Sequence, residues 1–295
     1  VYAASPGLGV LVSTDSGTSW TTYTTSNGLV SGTVRDVYAS GSTIYAATIG
    51  ALSISPDNGA TWSNRTTANG LPNNILLSVY AIGSTVYAAS PGLGVFVSTD
   101  SGTSWTAYTT TNGLVSNTVR DVYASGSTIY AATTGGLGIS PNNGTSWTNY
   151  TTANGLADNF VRDVFASGST IYAATSGGLS VSADNGTTWT NYTTANGLAN
   201  NYVEGVYASG GTIYAATGGG LSVSADGGTS WTNYTTADGL VHNSVYGVYA
   251  AGGTIYAATA GGLSVGVVAV PEPSTCAMAL AGLGFTGYSM FRRRK

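Results

Sequence analysis

The chain is poor in charge, and the charge that it has is unevenly placed. Only 7% of its 295 residues are charged, and Lys and Glu, which favour helical surfaces, are nearly absent. Before residue 271 there are four arginines and eleven acidic residues, whereas the other four basic residues are the last four of the chain. A body this poor in cations has no surface that could neutralise phosphates, so we expect no nucleic-acid partner.

Cysteine and histidine are almost missing as well: the chain has one of each, Cys276 and His242. One cysteine permits no intrachain disulfide, and one histidine with one distant cysteine cannot form a zinc-type cluster. The Asp-Asn-Gly turns at 57–59 and 184–186 lack the ligand spacing of a calcium loop, and no glycine-rich turn carries the Lys-Ser/Thr of a phosphate loop. We therefore expect neither a metal nor a cofactor.

Glycine, tyrosine, serine and threonine are abundant instead. There are 43 glycines and 20 tyrosines, and 42% of the residues are hydrophobic. Val, Ile, Thr, Tyr and Trp favour pleated sheet, and glycine-rich turns interrupt each hydrophobic run before it reaches the length of a helix. Because disordered segments have low hydrophobicity, this composition predicts a folded, all-β domain.

A repeat of about 42 residues organises the chain. A Tyr-Ala-Ala triplet starts at residues 2, 45, 87, 130, 172, 214 and 256, once per repeat, and tryptophan recurs at intervals of 42 or 43 residues. The six tryptophans are Trp20, Trp62, Trp105, Trp147, Trp189 and Trp231. Since this period is the length of one four-stranded propeller blade, we predict a β-propeller over residues 1–268.

Turn signals divide each repeat into four short strands. In one repeat they predict strands over Tyr202–Ser209, Thr212–Thr217, Leu221–Ser224 and Ser230–Thr235. Helical repeats need apolar residues at helical spacing, which glycine or proline every few residues prevents, and a parallel β-helix has shorter coils. Seven Tyr-Ala-Ala strands predict seven blades, with six as the alternative. Only six first strands and six Trp strands accompany them, so we expect a segment before Val1 to supply the missing strands.

Each repeat also carries the pattern Ser-x-Asp-x-Gly-x-(Ser/Thr)-Trp. Its aspartates are Asp15, Asp57, Asp100, Asp184 and Asp226, and the fourth copy has Asn142 instead. An Asp in a tight turn accepts hydrogen bonds from nearby backbone amides, the Gly supplies a positive φ, and the Trp fills space at the outer strand. We therefore predict a structural role for this motif.

The motif resembles the Asp-box of sialidase-like (BNR) and sortilin-like propellers. The stretch Asn-Gly-Leu-x-x-Asn-x-Val, which leads into each first strand, resembles the propeller repeats of two-component-regulator sensor domains. Both resemblances imply the propeller fold that the period predicts, and they cover residues 1 to about 266.

The composition changes abruptly at the C-terminus. The segment 269–295 contains Pro271, Glu272 and Pro273, then an apolar stretch from Cys276 to Phe291, then Arg292, Arg293, Arg294 and Lys295. Eighteen helical residues span roughly 27 Å, close to the hydrocarbon core of a bilayer at about 30 Å. We predict a transmembrane-type helix with the basic cluster in the cytoplasm and the propeller on the other side.

The order of these three elements resembles the PEP-CTERM sorting signal of Gram-negative and related bacteria. The resemblance implies recognition by an exosortase-type processing enzyme and cleavage near Pro271-Glu272-Pro273. It also implies export to the cell surface, the extracellular matrix or the outer face of the membrane, with membrane contact through the helix before processing.

One ring of variable residues stands out among otherwise similar blades. The second residue of the first strand is Arg35, Leu77, Arg120, Arg162, Glu204 or Tyr246, and Glu204 is the one glutamate before residue 271. Such a ring near the axis could contact a ligand, although local pairing of each arginine with an aspartate or solvent is the simpler expectation. A glycosidase needs a second carboxylate beside Glu204, and none is evident.

We therefore expect a non-catalytic protein with a structural or interaction role. Its partners would be extracellular polysaccharide or a surface protein, and its binding surface would include the Asn-Gly-Leu loops at 27–29, 112–114, 154–156 and 196–198. The first alternative is an extracytoplasmic sensor module that binds a ligand, and the second is a sialidase-like glycosidase.

Overall fold

The computed structural model describes residues 1–267 and 279–283, and in it each repeat folds into one antiparallel sheet. The seven sheets are the blades of a propeller, one with three strands and six with four. In each complete blade the chain runs from an inner strand through a second and a third strand to an outer strand.

The strands are numbered along the chain. Blade 1 lacks an inner strand and contains β1 (Tyr2–Ser5), β2 (Gly9–Val12) and β3 (Thr21–Tyr23). Blades 2 to 4 are β4 (Val34–Ser40), β5 (Thr43–Thr48), β6 (Leu52–Ser55), β7 (Ser63–Arg65); β8 (Ser78–Ile82), β9 (Thr85–Ser90), β10 (Gly94–Ser98), β11 (Thr106–Tyr108); and β12 (Val119–Ser125), β13 (Thr128–Thr133), β14 (Gly136–Ser140), β15 (Thr148–Tyr150). Blades 5 to 7 are β16 (Val161–Ser167), β17 (Thr170–Thr175), β18 (Gly178–Ser182), β19 (Thr190–Tyr192); β20 (Val203–Ser209), β21 (Thr212–Thr217), β22 (Gly220–Ser224), β23 (Thr232–Tyr234); and β24 (Val245–Ala251), β25 (Thr254–Thr259), β26 (Gly262–Val267), β27 (Ala279–Leu283).

Small residues in the second strands let neighbouring blades approach closely. In blade 4, Ala131 and Ala132 are fully buried between the inner strand of the same sheet and that of the next blade. The same Ala-Ala pair recurs in every second strand, which explains why a Tyr-Ala-Ala triplet stands at this place in all seven repeats. Close packing of this kind gives each blade a face that only another blade can cover.

The inner strands place one aromatic ring each in a ladder that runs from blade to blade. Its members are Tyr38, Tyr80, Tyr123, Phe165, Tyr207 and Tyr249. Successive ring centroids are 4.6, 4.8, 5.4, 5.2 and 5.1 Å apart, and the rings are tilted by 48–54°. Tilted pairs at this separation are favourable aromatic contacts, so the ladder binds consecutive blades near the axis.

The ring closes between blade 7 and blade 1. Ala3 and Leu11 of blade 1 form a buried cluster with Tyr256 and Leu263 of blade 7, and Trp20 packs against its edge. The prediction of seven blades is therefore confirmed, and the alternative of six is wrong.

The connections divide the propeller into two faces. The loops that lead into inner strands and the turns between second and third strands lie on one face, here called the upper face. Hydrogen bonds join them, for example from Gly7 N to Gly32 O at 2.9 Å. The Asp-box turns and the turns between inner and second strands lie on the lower face. Loops from all blades gather around the axis on the upper face, and binding residues are often carried on such loops, so we expect a ligand site on this face.

Each loop that leads into an inner strand contains a short 3₁₀ turn that the sequence did not predict. The turns are Thr25–Asn27, Thr67–Asn69, Thr110–Asn112, Thr152–Asn154, Thr194–Asn196 and Thr236–Asp238. In each one a preceding Thr and the last Asn or Asp form a capping box, and a left-handed Gly follows.

The C-terminal segment differs from its prediction in the part that is described. Ala279–Leu283, for which the sequence predicts a helix, forms β27 and pairs antiparallel with β26. The physical reason is that β26 has no Trp strand of its own and offers an edge with unpaired backbone groups. Among the described residues no helix has the length and apolar character needed to cross a bilayer. The rest of the predicted helix, Pro271–Pro273 and the basic cluster lie outside the described residues.

Candidate ligand-binding site

The Asp-box turns of the lower face are closed by their own side chains. Asp15 Oδ1 accepts hydrogen bonds from Ser13 Oγ at 2.8 Å and from the backbone N–H of Ser19 at 2.9 Å. Gly17, with a φ of +95°, donates to Ser13 Oγ, and the indole of Trp20 donates to the Gly17 carbonyl at 3.1 Å. With all these groups engaged inside one turn, the motif holds the hairpin and has no evident group left for chemistry.

The same hydrogen bonds keep these aspartates charged. The Ser19 hydroxyl and then the Ser19 backbone amide lower the pKa of Asp15 to about 2, and the corresponding Ser230 groups lower the pKa of Asp226 to about 2. In the fourth repeat Asn142 takes the same position and accepts from Ser146 N at 2.9 Å, so the turn forms without a charge there.

The shared residues of the Asn-Gly-Leu loops are also used by the fold. Asn27 Oδ1 accepts from Thr24 N at 2.9 Å within its capping box, and Leu29 is buried. The Gly28 carbonyl accepts a hydrogen bond from the Asn64 side chain of the next outer strand at 3.0 Å. The residues that all loops share therefore connect blades, and ligand contacts on the upper face must come from residues that differ between blades.

Three buried carboxylates on the inner strands connect neighbouring blades. Asp36 accepts from Val79 N at 2.9 Å, Asp121 from Ser78 Oγ at 2.6 Å, and Asp163 from Val206 N at 2.8 Å. Each of these aspartates follows an arginine in the sequence, and sequence proximity suggested that the two would pair. The structure shows that the aspartates bind backbone and hydroxyl groups of adjacent blades instead.

The arginines of blades 4 and 5 lie in an array with aromatic rings. The Arg162 guanidinium is stacked between Phe160, at 4.5 Å from its centroid, and Tyr202, at 3.8 Å. The Arg120 guanidinium lies 5.8 Å from the centroid of the Phe160 ring, and Arg162 Nη1 lies 3.3 Å from Glu204 Oε2. These five residues, from three consecutive blades, are called here the arginine–aromatic array. Cation–π stacking fixes the plane of the Arg162 guanidinium and leaves its edges to bind oxygen atoms.

The array carries more positive than negative charge. Arg162 and Glu204 form the one ion pair among the described residues, and their side chains are only 11% and 19% exposed. No such pair is formed by Arg120, which is partly buried. Burial and then the nearby Arg162 charge lower the pKa of Arg120, while burial and the Glu204 charge raise the pKa of Tyr202. Because the array contains two guanidiniums and one carboxylate, it is a local cationic site on a propeller that otherwise carries a net negative charge.

The remaining ring positions continue around the same mouth. Arg35 is exposed, Leu77 and Tyr246 are partly buried, and the Arg35 charge contributes to the lowered pKa of Arg120. The two aromatic residues of the array, Phe160 and Tyr202, were not predicted as site residues. The sequence does contain a signal for them. Where the repeats are aligned, the residue two positions before the ring position differs between blades and is Thr, Ile, Phe, Tyr or Ser.

Other side chains that could carry chemistry do not gather. His242 is exposed on its loop, where its Nδ1 accepts from Ser244 N at 2.9 Å. Within residues 1–267 and 279–283, no group of three or more His, Cys, Asp or Glu side chains could hold a metal ion. The array is thus the most differentiated cluster on the upper face of the described structure.

Comparison with known families gives two matches. Residues 78–198 match the family described as the DUF6242 beta propeller domain, and residues 269–295 match the PEP-CTERM protein-sorting motif. The sorting motif marks the chain for recognition by an exosortase and for export to the cell surface. None of the curated proteins matches the sequence.

Several solved structures share the fold. The extracellular domain of a candidate hybrid two component system from B. thetaiotaomicron is 17% identical with a TM-score of 0.65, over 79% of this chain and 33% of that one. An ancestral GH74 enzyme is 17% identical with a TM-score of 0.67, over 84% of this chain and 38% of that one. YCF48 from Cyanidioschyzon merolae is 19% identical with a TM-score of 0.65, over 90% of this chain and 89% of that one.

These likenesses establish the propeller fold and leave the activity open. The chain spans only about a third of the length of the first two structures, and every identity is below 20%. Since the same fold occurs in two-component-system domains and in an enzyme, the residues of the array bear on function and the fold alone does not.

Proposed function

We propose that the propeller is a non-catalytic binding module of an exported, cell-surface protein and that it binds anionic glycan through the arginine–aromatic array. The observation that carries this proposal is the pair of partly buried guanidiniums on blades 4 and 5, both close to the Phe160 ring, with only the Glu204 carboxylate of blade 6 to balance them. The cost of placing a cation there is recovered when an anionic group binds it.

The chemistry of the array favours a saccharide that bears carboxylates. A guanidinium edge binds a carboxylate through two parallel hydrogen bonds, and Arg120 is the cation of the array that the described carboxylates leave without an ion pair. Tyr202, whose ring contacts Arg162, is 38% exposed and offers a flat surface for the apolar face of a sugar ring. The sorting motif indicates a cell-surface location, and a surface location supports the proposal because extracellular polysaccharide would be accessible there.

The proposal is tested by measuring binding of the purified chain to polygalacturonate and to neutral dextran. We expect binding to polygalacturonate alone, weakened at least about tenfold in Arg120→Gln, since a charge-assisted bidentate contact contributes about 1.5–3 kcal/mol. Asp238→Asn, which changes one charge in the loop between blades 6 and 7 and outside the array, is the control and should bind as the unaltered chain does. Equal binding to both polysaccharides, or unchanged affinity in Arg120→Gln, would contradict the proposal.

An enzymatic role makes a different prediction for the same material. A glycosidase would shorten the polysaccharide or release a reducing sugar, and its activity would disappear in Glu204→Gln. Under our proposal the unaltered chain binds the polysaccharide and leaves its length unchanged, so hydrolysis by the unaltered chain would overturn it.

A further inference from the structure

The apolar side chains that remain exposed are concentrated on the upper face. The described part of the chain exposes six large hydrophobic residues, and five of them lie on this face. One of the five is Tyr202 of the array, and the other four belong to blades 1 to 3 and are 38–45% exposed. These four, called here the apolar arc, are Leu8, Ile49, Ile75 and Leu93. The sixth residue, Ile82, lies at the lower end of its inner strand.

Two leucines of the arc lie at the tips of longer turns. Blades 1 and 3 use three residues between the second and third strands, 6–8 and 91–93, whereas blade 4 uses two, 134–135. The last residue of each longer turn is Leu8 or Leu93. A Cβ on the glycine before either leucine would meet no atom within 4 Å, so these tips project into solvent. In blades 4 to 7 the same turns contain only Thr, Ser, Ala and Gly.

Hydrogen bonds between successive loops make the arc continuous with the array. From blade 1 to blade 4 they join Gly7 to Gly32, Ile49 to Thr33, Leu76 to Thr48, Asn73 to Ser90, and Gly94 to Asn117, at 2.9–3.3 Å. The last of these bonds ends three residues before Arg120. The upper face therefore has an apolar half on blades 1 to 3 and an arginine–aromatic half on blades 4 to 6.

The charge that accompanies the arc is positive. The loops that carry the arc contain one charged residue, Arg35, which is exposed and forms no ion pair within the described structure. These loops are residues 5–9, 24–35, 48–52, 66–77 and 90–94. Protruding leucines beside an arginine are complementary to a lipid surface with anionic headgroups, because leucines enter the apolar layer and a guanidinium binds headgroups.

We infer that the upper face docks on a lipid bilayer and that the anionic saccharide bound by the array is the headgroup of a glycolipid. This inference rests on the proposed function and names the source of the glycan. The saccharide carboxylate binds Arg120, Arg35 binds a neighbouring headgroup, and Leu8 and Leu93 enter the apolar layer. Projecting leucines suit a soft lipid layer, whereas a folded protein partner would need a cavity for each of them.

The test compares vesicles with a soluble polymer. The purified chain is sedimented with phosphatidylcholine vesicles that contain sialyllactosylceramide, a lipid with a carboxylate in its saccharide headgroup. We expect binding at least about tenfold stronger than to vesicles of phosphatidylcholine alone, since four apolar side chains hold the propeller only weakly without the headgroup. The chain should also bind polygalacturonate, which carries carboxylates and no lipid.

The variant Leu8→Ser/Leu93→Ser separates the lipid contact from the saccharide contact. It should bind the glycolipid vesicles at least about tenfold more weakly and polygalacturonate as the unaltered chain does. Ile82→Ser is the matched control, because it removes a similarly exposed aliphatic side chain from the lower face, and it should change neither affinity. All variants keep residues 269–295, so any contribution of that segment to vesicle binding is the same in each.

Arg35→Gln tests the electrostatic part of the contact. It should weaken binding to the glycolipid vesicles about fivefold at low salt and less at high salt, because salt screens an exposed charge. Its affinity for polygalacturonate should stay within about twofold of that of the unaltered chain, since Arg35 lies outside the array.

Several outcomes would overturn the inference. One is a double leucine variant that binds the vesicles as tightly as the unaltered chain, or that loses affinity for polygalacturonate to the same extent. Another is equally tight binding to vesicles of phosphatidylglycerol, which carry negative charge and no saccharide. Binding to polygalacturonate without binding to any vesicle would contradict the inference and leave the proposed function standing, whereas a chain that bound neither would contradict both.

Discussion

Arg162 Nη1 lies 3.3 Å from Glu204 Oε2, across the boundary between blade 5 and blade 6. The neighbouring Asp163, which is closer in sequence, accepts hydrogen bonds from Val164 N and Val206 N and is 95% buried or more. The two acids thus have separate tasks, since Asp163 joins the backbones of two blades and Glu204 balances one of two adjacent guanidiniums. The two carboxylates therefore contribute to this mouth in different ways, Asp163 by joining blades and Glu204 by balancing charge.

Glu204→Gln is expected to lower the free energy of unfolding by about 1–3 kcal/mol, because it leaves Arg120 and Arg162 side by side in a partly buried place. Urea unfolding at pH 7 measures the change. Asp238→Asn is the control, since it also removes one negative charge but restores the Asn that ends the other five 3₁₀ turns. A Glu204→Gln chain as stable as this control would show that the ion pair contributes nothing.

Acid stability is expected to depend on the Asp-box turns. The pKa of Asp226 is about 2 in the folded chain, below its ordinary value of 3.8, so the folded state is favoured above about pH 4 and loses this contribution as the pH falls towards 2. Asp226→Asn cannot titrate, and its Tm should fall less between pH 5 and pH 2.5 than that of the unaltered chain. The Asn142 turn serves as the natural precedent.

The corresponding Asn142→Asp variant provides the reverse test. It places a titrating carboxylate in the fourth turn, where Ser146 N already donates to the side chain at 2.9 Å. Its Tm should fall more steeply below pH 4 than that of the unaltered chain. If thermal scans gave the same pH profile for all three chains, the carboxylates would not control acid stability.

The aromatic ladder should tolerate loss of a hydroxyl but not loss of a ring. Tyr123 is 1% exposed and contacts the rings of Tyr80 and Phe165 at 4.8 and 5.4 Å. Tyr123→Ala is expected to cost about 3–5 kcal/mol of unfolding free energy, whereas Tyr123→Phe should cost less than about 1.5 kcal/mol, as blade 5 already carries Phe there. Equal losses in chemical denaturation would show that the ring itself is not what stabilises the ladder.

The repeat predicted the fold almost completely. Predicted and observed strands of blade 6 agree to within two residues, for example Thr212–Thr217 in both and Ser230–Thr235 against Thr232–Tyr234. Strand signals are reliable here because each element is short, bounded by glycine turns and repeated, so that seven copies report on one structure. The 3₁₀ turns were missed because three residues are too few for a helical pattern.

The candidate site was predicted only in part. The ring position of Arg120, Arg162 and Glu204 followed from the alignment of repeats, but the partner of Arg162 did not, because it comes from the next blade, 42 residues away. Phe160 and Tyr202 precede the inner strands, and only the packing of blades shows that their rings enclose a guanidinium. The strand formed by Ala279–Leu283 was not predicted either, since pairing with an open edge depends on what the rest of the fold leaves free.

Two glycines of blade 3 separate backbone strain from close packing. Gly94 has a φ of +83°, and a Cβ placed on it would lie 1.9 Å from the Tyr108 carbonyl oxygen. Gly83 has a φ of +57°, and a Cβ there meets no atom within 4 Å. Gly83→Ala therefore measures the cost of the left-handed conformation alone, which is about 1–2 kcal/mol.

Gly94→Ala should cost clearly more, at least about 3 kcal/mol, because β10 and β11 would have to separate where their sheet ends. Urea unfolding of both variants checks this difference. Every blade except blade 2 has a glycine at this position. The comparison bears on the array because the outer strand that pairs here leads into the loop before the next inner strand, and the array residues lie at the start of such strands. If the two variants lost equal stability, the glycine would be required for its φ alone, and the close approach of the two strands would not constrain the sequence.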